Sequence, residues 1–219
     1  MGLTGMSTEA ETDDLTVLVV DDHAVVRSGC RRLLEPPLGR FRVVEASDGA
    51  GALALAAQEA PAALVVDLNM AGEPNGIALV QALAETGAAV VVLSMHEAPQ
   101  VAARCLEAGA LAYVSKSDEP EAVVDAVAAA LEGRVWLGRG MALAVAALGR
   151  MPSREPRPLT PRETDIMGLL AETSDIGRIA ERLGISYKTV ANTLVRLRNR
   201  YGVRRTADLV RIVVRDAGA

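Results

Sequence analysis

The sequence predicts two domains of different class: an α/β domain with a doubly wound, five-stranded parallel sheet, followed by an all-α domain of four helices. Three observations predict this division. Short β-branched runs alternate with Ala- and Leu-rich helical stretches in the first part of the chain. The last part has helical periodicity alone, and the two parts differ in the sign of their net charge. A chain of 219 residues is long enough for two modest domains.

Five apolar runs predict the strands of the first domain. They cover Thr16–Val20, Phe41–Glu45, Ala63–Asp67, Ala88–Ser94 and Leu111–Ser115. Helical stretches lie between them, such as Ala50–Glu59 and Gln100–Ala108, and a final one covers Glu119–Leu131. Alternation of strands and helices indicates a parallel sheet with helices on both faces. The α/β domain is therefore predicted to cover residues 15–131.

Residues 132–158 are predicted to link the two domains, with room for a short helix at Met141–Leu148. The prolines at 152, 156 and 158 stand among Arg and Glu, which is typical of an exposed linker. Four helical segments follow over residues 159–216. Their ends are predicted from the capping residues Thr160, Asp175 and Ser186 and from Gly184 and Gly202.

The charge of the chain is divided unevenly. Residues 1–151 carry 10 basic and 20 acidic side chains, a net charge of −10, whereas residues 152–219 carry 13 and 8, a net charge of +5. A basic second part predicts a polyanionic partner. The chain has no apolar run of the roughly 20 residues that span a bilayer, and its first residues are polar and acidic, so we expect a cytoplasmic protein with no membrane partner.

Polar side chains follow the ends of four predicted strands. They are Asp21, Asp22, Asp67, Ser94 and Lys116. Because the carboxyl ends of parallel strands meet at one edge of a sheet, these side chains can converge. Three carboxylates in one pocket repel one another, and Lys116 together with a hard divalent cation such as Mg²⁺ would supply the counter-charge. Any one Asp could simply end a strand or cap a helix, but the joint pattern favours a site.

Four segments of the first domain resemble the receiver domain of bacterial response regulators, which has a CheY-like fold. VLVVDDHAVVR resembles the strand with the acidic pair, and LVVDLNMAGEPNG resembles the phosphoacceptor loop. VVVLSM resembles the strand with the switch hydroxyl, and GALAYVSK resembles the lysine strand. The loop departs from the family pattern, with Ala71 in place of the usual Pro and one extra residue before Gly76. Phosphorylation is still expected, at a rate that this loop could alter.

The resemblance assigns roles to individual residues. It implies that Asp67 accepts a phosphoryl group from a sensor histidine kinase, and that Ser94 and Lys116 bind the new phosphoryl oxygens. Tyr113 would swing inward together with Ser94, although a pure packing role for this ring stays open. The implied Mg²⁺ ligands are Asp21, Asp22, Asp67 and the backbone carbonyl of Asn69.

The segment Ser186–Tyr201 is the candidate for reading DNA. At 100° per residue, one side of a helix here is apolar, and the opposite side carries cations, amides and one apolar contact. Such a side suits phosphates and base edges, although basic amphipathic helices also face solvent, membranes or proteins. The predicted apolar side consists of Val190, Leu194, Leu197 and Tyr201. The predicted DNA contacts are Lys188, Thr189, Asn192, Val195, Arg196 and Asn199.

LTPRETDIMGLLAE, RIAERLGISYKTVANTLVRLRNRYGV and RTADLVRI resemble the LuxR-type, or NarL/FixJ-type, helix-turn-helix domain. The family often has a basic residue at 191 and His at 193, where this chain has Ala191 and Thr193, which suggests a changed operator preference. The resemblance implies a transcription factor, not an enzyme, that binds promoter double-stranded DNA as a homodimer.

We expect the unphosphorylated domains to pack so that Lys188, Asn192 and Arg196 are occluded or wrongly spaced for DNA. Phosphorylation would then release them and allow dimerisation. The helix Thr206–Asp216 could form the dimer contact, or its apolar side could belong only to the core of its own domain. Two alternatives stay open: an orphan regulator that needs no phosphorylation, and an aspartyl-phosphate hydrolase. The hydrolase would lack the second catalytic Asp two residues after Asp67, where Asn69 stands.

Overall fold

The first domain is built on a parallel sheet with the strand order β2-β1-β3-β4-β5-β6. The structure, a computed structural model, describes residues 15–149, 159–203 and 205–216. The strands are β1 (Thr16–Val20), β2 (Arg42–Ala46), β3 (Ala63–Asp67), β4 (Ala89–Ser94), β5 (Ala112–Ser115) and β6 (Trp136–Leu137). Their order reverses between β1 and β3, which is the topological switch point of a doubly wound sheet.

Among the described residues, six helices belong to this domain, and they cover both faces of the sheet. They are α1 (Ala24–Leu34), α2 (Gly49–Glu59), α3 (Gly76–Glu85), α4 (Pro99–Glu107), α5 (Ala122–Leu131) and α6 (Arg139–Ala147). Because successive strand residues point to opposite faces, Val17 and Val19 join one core with α1 and α5, whereas Leu18 and Val20 join a second core with α2, α3 and α4. The prediction of a doubly wound parallel sheet is confirmed.

The sheet has six strands, so the prediction of five was wrong by one. Trp136 and Leu137 form β6, which pairs in parallel with Ala112 and Tyr113 of β5. A strand of two residues is too short to show a periodic pattern, so its sequence indicated a linker. Helix α6 follows directly, and its Val145 is fully buried in the core that α2, α3 and α4 share. Residues 136–147 therefore pack against the first domain.

The second domain consists of four helices around one apolar core. They are α7 (Pro161–Glu172), α8 (Ile176–Leu183), α9 (Tyr187–Tyr201) and α10 (Thr206–Asp216). The buried core residues are Ile166, Met167, Leu170, Ile179, Ala180, Val190, Leu194, Leu197 and Leu209, with Tyr201 packed against them. The predicted apolar side of α9 thus faces this core, and the prediction of an all-α, four-helix domain is confirmed.

Replacing Thr160 with alanine is expected to destabilise the helical domain by about 1 kcal/mol, because it removes an N-cap. The Thr160 hydroxyl accepts from the Glu163 amide at 3.2 Å, and the Thr160 amide donates to the Glu163 carboxylate at 2.9 Å. Calorimetry of the full chain should show the midpoint of this domain lowered by about 4–8 °C. Thr160→Ser keeps the oxygen and should melt like the parent; equal melting of all three proteins would contradict the cap.

Candidate functional site

Residues at the carboxyl edge of the sheet come together around Lys116. Asp21 directly follows β1, Asp67 ends β3, and Lys116 directly follows β5. The Lys116 ammonium donates to Asp21 Oδ2 at 2.7 Å and to Asp67 Oδ2 at 2.8 Å. The side chains of Asp21 and Asp67 are 2% and 3% exposed. The sheet therefore holds two buried carboxylates at contact distance from one cation.

The neighbouring carboxylates favour the protonated form of Lys116. Burial lowers the pKa of Lys116, but hydrogen bonds to Asp21 and Asp67 and the charges of the same two carboxylates outweigh burial and raise the pKa above its ordinary value. Lys116 is therefore an ammonium at neutral pH. One positive charge offsets one of the two buried carboxylates, so negative charge is left over for a further cation.

A candidate cation site lies in the same pocket. Asp21, Asp22, His23 and Asp67 each offer a ligand atom, and these atoms lie within 4.8 Å of one another. Carboxylate oxygens are the ligands that Mg²⁺ prefers, so the donor set fits this ion. The sequence analysis did not include His23, whose Nδ1 lies 2.7 Å from Asp22 Oδ1. Asn69 also lies here, and its backbone amide donates to Asp67 Oδ1 at 3.1 Å.

Ser94 and Tyr113 meet at His96, a residue that the sequence analysis did not single out. The His96 amide donates to the Ser94 hydroxyl at 3.2 Å, and the Tyr113 hydroxyl donates to the His96 carbonyl at 2.8 Å. The His96 ring lies 3.1 Å from the Asn69 side-chain oxygen. Tyr113 is 1% exposed, and burial raises its pKa. Its ring already lies inside the domain, next to a cavity of about 240 Å³ that Met141 of α6 also lines.

The loop after Asp67 closes on itself. The Asn75 side-chain amide donates to the carbonyl oxygen of Gly72 at 2.7 Å, and Gly72 adopts a φ of 86°, which favours glycine. The extra residue before Gly76 is thus accommodated in a turn whose ends are joined by a hydrogen bond.

The predicted DNA-binding side of α9 packs against the first domain. The Asn192 side-chain amide donates to the carbonyl oxygen of Ala60 at 2.6 Å, and the Lys188 ammonium lies 3.4 Å from a carboxylate oxygen of Glu59. Asn192 and Arg196 are 7% and 9% exposed. The first domain therefore covers much of the surface that is predicted to contact DNA.

Two further predicted DNA contacts are partly accessible. Thr189 and Val195 are half-buried, and the Thr189 hydroxyl lies 2.8 Å from the Ser186 hydroxyl. Asn199 belongs to α9, but its side chain lies outside the described residues.

Within the part of the chain that the structure describes, no helix is long and apolar enough to cross a membrane.

Comparison with known proteins identifies both domains. Residues 17–128 match the response regulator receiver domain, and residues 157–213 match the bacterial regulatory proteins of the luxR family. The chain belongs to the response regulators of the NarL/FixJ family. The regulator is 30% identical to the response regulator UvrY of Escherichia coli (strain K12), over 92% of its own length and 94% of UvrY. It is 34% identical to the transcriptional regulatory protein UhpA of Salmonella typhimurium (strain LT2), over 89% of the regulator and 95% of UhpA.

Solved structures show the same architecture. A two-component response regulator of the LuxR family from Aurantimonas sp. SI85-9A1 matches with a TM-score of 0.57 and 34% identity, over 61% of the regulator and 96% of that chain. A structure of an RcsB–DNA complex matches with a TM-score of 0.57 over 91% of the regulator and 97% of that chain. At 24% identity, the second match supports the fold alone.

Proposed function

We propose that the regulator accepts a phosphoryl group on Asp67 and that this event frees α9 to bind promoter DNA. The observation that carries the proposal is the contact of Asn192 and Lys188 with the receiver domain, because the residues suited to DNA are the ones that hold the domains together. This side of α9 cannot contact DNA and the receiver domain at the same time, so DNA binding and domain docking are mutually exclusive. Any event that weakens docking therefore raises DNA affinity.

The Asp67 carboxylate is suited to phosphoryl transfer. One of its oxygens attacks phosphorus, the bond from phosphorus to the histidine nitrogen of the sensor kinase breaks, and that nitrogen keeps the electron pair. Asp21, Asp22, Asp67 and the carbonyl of Asn69 would hold Mg²⁺, which neutralises phosphoryl oxygens when bound. Lys116, already 2.8 Å from Asp67, supplies a second positive charge.

The two sites lie at opposite ends of one strand. Asp67 is the last residue of β3, whereas Ala60, which accepts from Asn192, lies three residues before β3 begins. Phosphorylation adds charge and acceptor oxygens beside Lys116 and Ser94, which alters the hydrogen bonds at the carboxyl end of the sheet. A shift of β3 or α2 in response would reach the docking contact directly.

Active regulator is proposed to bind two half-sites as a homodimer, as helix-turn-helix proteins commonly do. Structures of RcsB include two dimers bound to two parallel DNAs. In α10, Leu209 is fully buried in the core of its own domain and is unavailable to a partner. Ile212 is half-buried, and the side chain of Val213 lies outside the described residues.

Replacing Asp22 with alanine is expected to abolish Mg²⁺-dependent phosphorylation, because it removes a cation ligand without touching the phosphoacceptor. Incubation with a small phosphodonor and Mg²⁺ should leave the variant unlabelled, while its circular dichroism and basal DNA affinity stay at parental values. Asp125→Ala is the matched control, since it removes an exposed carboxylate of α5 that lies outside the cation site. Labelling of the Asp22→Ala protein at the parental rate would contradict the proposed site.

Replacing Glu59 with alanine is expected to raise the DNA affinity of the unphosphorylated regulator up to about five-fold. The change removes the ion pair with Lys188, and also the one that the same carboxylate forms with Arg42 of its own domain; a half-exposed pair such as that with Lys188 is worth up to about 1 kcal/mol. Fluorescence anisotropy with a promoter fragment measures the effect. Glu107→Ala removes one exposed carboxylate of α4 and controls for net charge. Equal gains in the two variants would show that charge alone, not docking, is responsible.

The nature of the adduct separates the proposal from its alternatives. An acid-stable, base-labile phosphoryl group on Asp67 that strengthens promoter binding supports a phosphorylation switch. Full DNA affinity without any adduct would identify an orphan regulator instead. Turnover of a small phosphoester above background would favour a hydrolase.

A further inference from the structure

A groove of about 670 Å³ lies between the receiver domain and the carboxyl-terminal half of α9. Four arginines line it: Arg40 before β2, Arg134 before β6, and Arg198 and Arg200 in α9. We call this surface the basic groove. Glu132 is the one carboxylate that lines it among the described residues.

The arginines of the basic groove differ in their partners. Arg134 pairs with Glu132 at 2.6 Å, and Arg200 lies 3.8 Å from the buried carboxylate of Glu163. Arg198 donates to the neutral hydroxyl of Thr206 at 3.0 Å, and Arg40 lies over the ring of Phe41. Four guanidinium groups and one carboxylate line the described groove, so its lining has a net charge of +3. An anionic group is therefore the occupant that its charge favours.

The sequence that precedes the first described residue is acidic. Leu15, the first described residue, lines the basic groove. The six residues before it read EAETDD and carry four carboxylates, at Glu9, Glu11, Asp13 and Asp14. Six residues reach at most about 20 Å, so these charges cannot move far from the groove. A tether this short corresponds to an effective concentration in the millimolar range.

We propose that the acidic segment of residues 9–14 occupies the basic groove of the same chain. Because the groove takes its walls from both domains, an occupant that contacts both favours the arrangement in which α9 is docked on the receiver. The segment then stabilises the docked arrangement by electrostatic attraction to both domains. The interaction should weaken strongly with salt, since its charges are close to solvent. It does not depend on phosphorylation of Asp67, so its test is independent of the switch.

Disulfide trapping in the full chain tests the proximity directly. With Asp13→Cys and Arg134→Cys combined, mild oxidation should give an intramolecular disulfide in low salt and much less in 1 M salt. Asp13→Cys with Arg104→Cys is the matched control, since it removes the same charges and places the second thiol on α4, outside the groove. The native thiols of Cys30 and Cys105 are buried, and burial raises the pKa of each to about 11, which keeps them unreactive. Equal yields in the two pairs would overturn the proposal.

Competition with a free anion tests the occupant. A chain with E9Q, E11Q, D13N and D14N should bind tripolyphosphate at least ten-fold more tightly by calorimetry than the parent does, because its groove is vacated. The control with E107Q, E119Q, E121Q and D125N loses the same charge from exposed receiver positions and should bind like the parent. Adding R40E and R134E to the first variant should remove binding. Equally tight binding to the parent would mean that the groove serves a free anion, and no binding to any variant would rule out an anion site; either result overturns the proposal.

Discussion

Replacing Asp67 with alanine is expected to abolish phosphorylation and to hold DNA affinity at its basal level. Asp67 is the carboxylate at the end of β3 that Lys116 contacts, and it is the proposed phosphoacceptor. With a small phosphodonor and Mg²⁺, the parent should gain an acid-stable adduct and promoter affinity, and the variant should gain neither. Mobility-shift titrations with and without donor measure the difference.

A matched control for this experiment is Asp125→Ala, which removes an exposed carboxylate of α5. It should respond to the phosphodonor as the parent does. If the Asp67→Ala protein bound its promoter as tightly as phosphorylated parent, the switch described above would be wrong, and the docked arrangement would have to open by another route.

Replacing Lys116 with methionine is expected to destabilise the receiver domain by about 3 kcal/mol when Mg²⁺ is absent. Removing one partner of a buried ion pair leaves uncompensated charge, and here two nearly buried carboxylates lose their shared ammonium. Urea unfolding at neutral pH measures the loss. Millimolar Mg²⁺ should restore much of it, because a divalent cation can take over the neutralising role.

Lys116→Arg keeps the positive charge and is the control. It should lower the free energy of unfolding by less than Lys116→Met does, because only the geometry of the ion pair changes. The raised pKa of Lys116 gives a second readout. A group whose pKa is raised by folding contributes stability below its ordinary value of 10.5 and loses that contribution as pH rises through the folded value. Parental protein should therefore lose stability above about pH 10.5 to a greater extent than Lys116→Met. Equal losses would contradict the ion pair.

The sequence predicted that the polar side chains of the pocket converge, because the topology of a parallel sheet determines this convergence. Asp21, Asp67 and Lys116 are far apart in sequence, but each follows or ends a strand, and parallel strands bring such positions to one edge. The core-facing side of α9 was predictable for a related reason, since helical periodicity places Val190, Leu194 and Leu197 on one side.

Other features left no local signal. Strand β6 has two residues, and no periodic pattern can be read from two positions. His96 contacts Asn69 from a different loop, and that contact depends on how both loops fold. Asn192 and Ala60 are separated by 132 positions and belong to different domains. Their hydrogen bond follows from how the domains pack, which residue type and spacing do not specify.

The hydrogen bond between Asn192 and Ala60 has a consequence for how this regulator can evolve. Its acceptor is a main-chain carbonyl, so substitutions at position 60 that keep the backbone path do not remove it. The donor, in contrast, is a side chain that is also proposed to contact base edges. A mutation at 192 that retunes operator choice would at the same time loosen the resting state. New target promoters should therefore be bound more by the unphosphorylated regulator, unless compensating changes accumulate elsewhere in the contact.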